Sequence, residues 1–151
     1  VAFIPLVYLL TNVVSVLLSI PIGSLSDRVG KEKILIIGYI IYALVYFGFG
    51  ASNHVVVIAA LFALYGVYSA ATDGIQKAFV SDIVDENKKG TGLGLYNALL
   101  GITLLPASLI AGILYDKVNS HVPFYFGTVT ALISAVLMFL FQRNFKKQVI
   151  E

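Results

Sequence analysis

The chain has 151 residues, 59% of them hydrophobic and 12% charged, with a formal net charge of +2 and a mean hydropathy of +0.93. A soluble domain carries about 25% charged residues, so this composition excludes a surface solvated by charge, and so small a net charge gives no footprint for nucleic acid. There is no cysteine, so composition is silent on redox compartment.

Asp, Glu, Lys and Arg are absent from residues 1–26, 34–72, 90–115 and 118–142. A bilayer-spanning helix needs about 20 mostly apolar residues. The run 34–72 is long enough for two, and it is interrupted near its middle by Gly48-Phe-Gly50-Ala-Ser-Asn-His54. The chain therefore reads as an all-α, polytopic membrane bundle with five spans, expected at about 4–22, 34–50, 55–80, 91–115 and 123–141. The connections are a charged loop Gly23–Lys33, a turn Ala51–His54, a second charged loop Ser81–Gly90, a turn Asp116–Val122 and a basic tail Gln142–Glu151. Ile34–Phe49 and Phe124–Phe141 are apolar all round, which excludes the amphipathic helices of a soluble domain. Short alternating strands of a membrane β-barrel do not occur.

Basic residues set an expected orientation. Arg28, Lys31 and Lys33 fall between the first two spans; Lys77, Lys88 and Lys89 fall at the end of the third and in the loop beyond it; Arg143, Lys146 and Lys147 lie in the tail. Lys117 alone falls on the opposite side. The positive-inside rule makes the crowded side cytoplasmic, with the N-terminus outside and the C-terminus inside.

Polar residues concentrate in the first, third and fourth spans: Thr11, Asn12, Ser15 and Ser19; Ser69, Thr72, Asp73 and Gln76; Tyr96, Asn97, Thr103 and Ser108. Polar groups in hydrocarbon need partners or water, so these spans are expected to face protein or a cavity, and the second and fifth to face lipid. Small residues four apart (Ser15, Ser19 and Gly23; Gly66, Ala70, Gly74 and Ala78; Gly90, Gly94 and Ala98) mark the same three spans as places of close helix approach.

The loop pattern Gly23-x-x-x-Asp27-Arg28-x-Gly30-x-x-Lys33 can be any short polar turn that obeys the positive-inside rule. It also resembles the signature loop of the major facilitator superfamily of transporters. Leu64–Gly74, then Ala78-Phe-Val-Ser81-Asp82, then Lys89–Asn97 resemble the tenth helix, its loop and the start of the eleventh, and Gly101, Pro106 and Gly112 resemble the middle of the eleventh. Glu32 stands where the family usually has a second basic residue, and the third span has no Arg or Lys before Lys77. Both departures point to the second copy of the loop, and so to helices eight to twelve of a twelve-helix protein.

The resemblance implies that Gly23, Asp27, Arg28, Gly30 and Lys33 form a conformational latch. Asp82 is expected to join it by pairing with Arg28 in one conformational state. Asn12, Ser15, Thr72, Asp73, Gln76, Tyr96 and Asn97 are the candidate cavity-lining residues, and Pro106 the candidate kink. Asp73 and Lys77, four apart, share a helix face and can pair. Val55 to Asp73 is 18 steps, roughly 27 Å of helix, which puts Asp73 near the cytoplasmic interface and favours a structural or gating role over proton coupling.

His54 and His121 fall in outer turns without nearby ligands, so no metal site is expected. There is no catalytic set, no phosphate-binding loop and no expected cofactor, so the chain is not read as an enzyme. The expected partners are the lipid bilayer, a missing N-terminal half and a small-molecule substrate of unknown identity, with or without a coupling ion; nucleic acid is not among them. The expected function is secondary active or facilitative transport of a small solute by alternating access, as part of a larger permease in a prokaryotic cytoplasmic (inner) membrane. The alternative is a non-transporting membrane scaffold or assembly subunit. Upstream sequence separates the two: about seven further spans in frame favour the transporter.

Overall fold

A computed structural model of the chain describes residues 3–148, with side chains described from residue 5 to residue 143. Lys146, Lys147 and Glu151 of the basic tail therefore lie outside the described side chains. Five helices follow one another: α1 (Phe3–Val29), α2 (Lys31–Ala51), α3 (Val55–Ile83), α4 (Lys89–Lys117) and α5 (Val122–Gln148), with one 3-10 turn at Glu86–Lys88. No strand occurs among the described residues, and all five helices are long and apolar enough to cross a membrane.

The helices run further than the apolar stretches that announce them. Pro21 removes a donor from α1, yet the helix continues past it to Val29. Two serines bond back to the helix there: Ser24 Oγ donates to Pro21 O at 2.9 Å and Ser26 Oγ to Gly23 O at 2.7 Å. The chain then reverses at a single residue. Gly30 has φ +106° and ψ 133°, a conformation open to glycine and strained for L side chains, and its N–H donates to Ser26 O at 3.0 Å. The expected loop Gly23–Lys33 is thus two helix ends meeting at Gly30.

Packing departs from the lipid-facing role expected for the second span. α2 is central, packed on α3 along one side and on α5 along the other, while α1 packs on α3. Ile34 and Leu35 of α2 join Ala71 and Ile75 of α3 in a buried cluster, with Tyr39, Phe79 and Met138 around it. Helix backbones approach through small residues. A Cβ on Gly66 would meet Thr11 O at 2.6 Å, one on Gly38 would meet Thr72 Cγ2 at 2.8 Å, and one on Gly127 would fall against the Tyr46 ring. Of the α1 and α3 stripes, Gly66 closes on Thr11 and Val14, whereas Gly23 and Gly74, like Gly90 and Gly94 of α4, have nothing within 4 Å.

The fourth span, α4, holds no buried residue among the five helices. Of its polar residues, Thr103 Oγ1 is satisfied by its own helix, at Leu99 O and Leu100 O, 2.9 and 3.0 Å away. α4 runs unbroken through Pro106.

Candidate functional site

The α1–α2 junction and the end of α3 come together at one end of the bundle. Around them lies an open cavity of about 400 Å³ lined by Ser26, Asp27, Gly30, Lys31, Glu32, Phe79, Asp82 and Ile83. Reversal at Gly30 places Lys31 in the first turn of α2, pointing at the last turn of α3. Its Nζ lies 2.5 Å from Asp82 Oδ2 and 3.8 Å from Asp27 Oδ1. One ammonium therefore holds two carboxylates, one from α1 and one from α3.

This arrangement reassigns the expected pair. Asp82 takes Lys31, and Arg28 makes no ion pair among the described residues. Arg28 and Lys33 are both exposed. The reason is geometric: Arg28 sits on α1 one residue before its end at Val29, whereas Lys31 starts the helix that packs directly on α3. Lys31 lies outside the expected latch of Gly23, Asp27, Arg28, Gly30, Lys33 and Asp82. The signals that could have identified it are its position four residues after Asp27 and the lone carboxylate that ends α3.

A second cavity, of about 340 Å³, runs from this end along the α1–α3 seam and includes Ser15, Ser19, Gly23, Asp27, Ser69, Asp73 and Gly74. Ser15 Oγ and Ser69 Oγ are 3.3 Å apart across the seam. Ser69 Oγ also donates to Asp73 Oδ2. Asp73 takes this serine on its own helix, and the expected pair with Lys77 is absent among the described residues.

The other candidates are dispersed. Asn12 is exposed and turns its amide back to Tyr8 O at 2.7 Å. Thr72 is 1% exposed, sealed against α2, with its hydroxyl donating to Tyr68 O at 2.9 Å. It is a packing residue of the α2–α3 interface, because Gly38 leaves just the space its methyl fills. Gln76 bridges three helices: its Nε2 donates to Tyr39 Oη at 3.2 Å, and its Oε1 accepts from Tyr96 Oη at 2.5 Å. Tyr96 is thus tied to the bundle, while its neighbour Asn97 is exposed. No group of His, Cys, Asp and Glu among the described residues could hold a metal ion.

The sequence model of the Major Facilitator Superfamily matches residues 1–150. The chain belongs to the major facilitator superfamily. It is 44% identical over 131 residues to an uncharacterized MFS-type transporter of Methanocaldococcus jannaschii, covering 87% of this chain and 33% of that protein. It is 28% identical to multidrug resistance protein 1 of Bacillus subtilis over 81% of this chain and 31% of that protein. It is 26% identical to the class H tetracycline resistance protein of Pasteurella multocida, over 84% and 31% respectively. The chain spans about a third of the length of these relatives. Superfamily membership and five membrane-capable helices make it an integral membrane protein.

Among the residues expected to form a latch, Gly23, Asp27, Arg28, Gly30 and Lys33 play unequal geometric parts here. Gly30 makes the reversal and Asp27 joins the ion pair through Lys31, whereas a Cβ on Gly23 would meet nothing within 4 Å.

Proposed function

We propose that the chain supplies helices eight to twelve of a twelve-helix permease that moves a small organic solute by alternating access, driven by an ion gradient or by the solute's own. In this reading two six-helix halves rock around a midplane site, and the charged end of the bundle faces the cytoplasm. The observation that carries it is the Asp27–Lys31–Asp82 cluster, built on the superfamily loop and joining three helix ends. Such a cluster can hold those ends together in one state and release them in another, which is what a latch must do.

Two features support the missing partner. The matched relatives are about three times as long, and α4 leaves its whole length without a buried residue. The drug-resistance names of two relatives support an amphipathic organic solute. Gly23, Asp27, Arg28, Gly30, Lys33 and Asp82 then serve as latch, with Lys31 at its centre, and Ser15, Asp73 and Gln76 are the best-placed of the cavity candidates. No residue acts as a catalyst and no cofactor is used.

The test is solute flux in liposomes. The chain alone conducts none, because five helices enclose no two-sided cavity. The chain joined to the seven spans expected upstream conducts, and Asp82→Lys slows it. Flux from the chain alone overturns the reading.

A further inference from the structure

Hydrogen bonds tie α1 to α3 in its first half, and an ion pair ties the two together past its end. Thr11 Oγ1 donates to Phe62 O across the seam at 3.0 Å, and Gly66 lets the two backbones close there. One turn on, Ser15 Oγ and Ser69 Oγ lie 3.3 Å apart. Among the described residues, no side-chain hydrogen bond crosses from α1 to α3 beyond Ser15. The next tie is the Lys31 ammonium, which holds Asp82 of α3 and Asp27 of α1.

The stretch between these ties is weakened as a rod. Pro21 has no N–H, so Leu17 O has no helical donor. Ser19 Oγ donates back to Ser15 O at 2.6 Å, a kind of bond that bends helices. Ser24 and Ser26 spend their hydroxyls on Pro21 O and Gly23 O of the same helix, so neither hydroxyl pins α1 to a neighbour. Ile22 rests on the buried cluster of Ile34, Leu35, Ala71 and Ile75 and gives the segment a bearing beside the proline. Along its flank runs the groove of about 340 Å³, with Gly23 on one wall and Gly74 on the other. A Cβ on either glycine would meet nothing within 4 Å. Packed helix interfaces leave few voids larger than a water molecule, so the groove is room for the end of α1 to move.

We propose that Ile22–Val29 is a lever hinged at Pro21, held in place while Lys31 grips Asp82 and Asp27, and swinging into the α1–α3 groove when that grip parts. An ion pair at a partly exposed site is weak enough to part. Small residues on both walls, Ser19 and Gly23 facing Ala70, Gly74 and Ala78, let the backbones approach once it does. Gly30 supplies the joint at the far end, because the chain reverses there at a single residue. The lever has eight residues, about 12 Å of helix. A proline kink of about 20° carries its tip about 4 Å. The swing rests on the latch reading for its part in transport, while the motion itself is measured on this chain without any solute.

The chain has no cysteine, so paired cysteine substitutions carry spin labels without background. The full chain is reconstituted in nanodiscs and distances are read by double electron–electron resonance. One pair, Leu25→Cys with Phe139→Cys, spans from the lever to α5; the other, Leu17→Cys with Phe139→Cys, starts before the hinge, and all three sites are exposed. Lys31→Gln should shift the Leu25 distance by about 4 Å and leave the Leu17 distance unchanged. Adding Pro21→Ala, which restores the missing N–H, should abolish the shift, and so should Gly74→Leu, which fills the groove. An unmoved Leu25 distance in Lys31→Gln would overturn the proposal. A proportionate shift at Leu17 would make α1 one rod pivoting at Thr11 and overturn it too. A shift that survives Pro21→Ala puts the motion elsewhere than the hinge, and one that survives Gly74→Leu puts it elsewhere than the groove; either result overturns it. If Lys31→Gln loses helix content by circular dichroism, Asp82→Asn breaks the same ion pair from α3 and decides by the same distances.

Discussion

Lys31 Nζ lies 2.5 Å from Asp82 Oδ2, so the first residue of α2 is tied to the last turn of α3, fifty-one positions away. The same ammonium reaches Asp27 of α1 at 3.8 Å. Three helix ends thus share one positive charge. A net attraction of this kind at a partly exposed site contributes about 0.2–1 kcal/mol, enough to bias a two-state equilibrium and too little to freeze it.

Exchanging the charges of Lys31 and Asp82 together restores stability that either reversal alone lowers. A double-mutant cycle on Lys31→Asp and Asp82→Lys, read by detergent-driven unfolding, gives a coupling of about 0.5 kcal/mol. The matching cycle on Arg28 and Asp82 gives none, because Arg28 is not within reach of that carboxylate.

Gly30→Ala destabilises the α1–α2 junction by about 1–3 kcal/mol. The nearest atom to an added Cβ is the mobile Glu32 Oε2 at 3.2 Å, so crowding is minor and the positive φ is what costs. Gly30→Asn costs as much as Gly30→Ala in the same unfolding measurement, because asparagine favours the left-handed helical region and not φ +106° with ψ 133°.

Gly66→Ala costs about 1–3 kcal/mol, an overpacking penalty. The new methyl meets Thr11 O at 2.6 Å and Val14 Cβ at 2.9 Å, and the first of these is backbone that cannot step aside. Gly74→Ala, two turns further along α3, meets nothing within 4 Å and leaves the unfolding midpoint unchanged or raised. The contrast separates packing at Gly66 from helix propensity, which acts at both sites alike.

Gln76→Leu frees α4. The side chain accepts from Tyr96 and donates to Tyr39, and α4 has no buried residue to hold it otherwise. A hydrogen bond between membrane helices is worth about 0.6 kcal/mol. Hydrogen exchange should therefore quicken in the half of α4 around Tyr96 while the α1–α3 pair keeps its protection. Tyr96→Phe should reproduce the effect, and combining the two should add little.

The spans, the turns and the close approach at Gly66 were legible in the sequence because each rests on a local property. Length of apolar run and position of charge decide what can cross a bilayer, and no tertiary contact changes them. Gly66 marked a close approach of α3 to α1 because such an approach demands a small residue. Gly30 was legible as a turn for the same kind of reason. The reach of α1 beyond Ile22 was not, because serines that bond back to their own helix look like loop residues in a list of polar side chains.

Which helix lies beside which, and which charge finds which, only the tertiary structure decided. Polarity suggested that α2 faces lipid, and packing placed it at the centre of the five helices, between α3 and α5. α2 is held by the fit of Gly38 to Thr72 and of Gly127 to Tyr46, shapes supplied by residues far away in the chain. Asp82 could be assigned a cation by sign alone, but Arg28 and Lys31 carry the same sign three residues apart. The reversal at Gly30 turns one of them toward α3 and leaves the other on α1, and a one-dimensional pattern does not contain that choice.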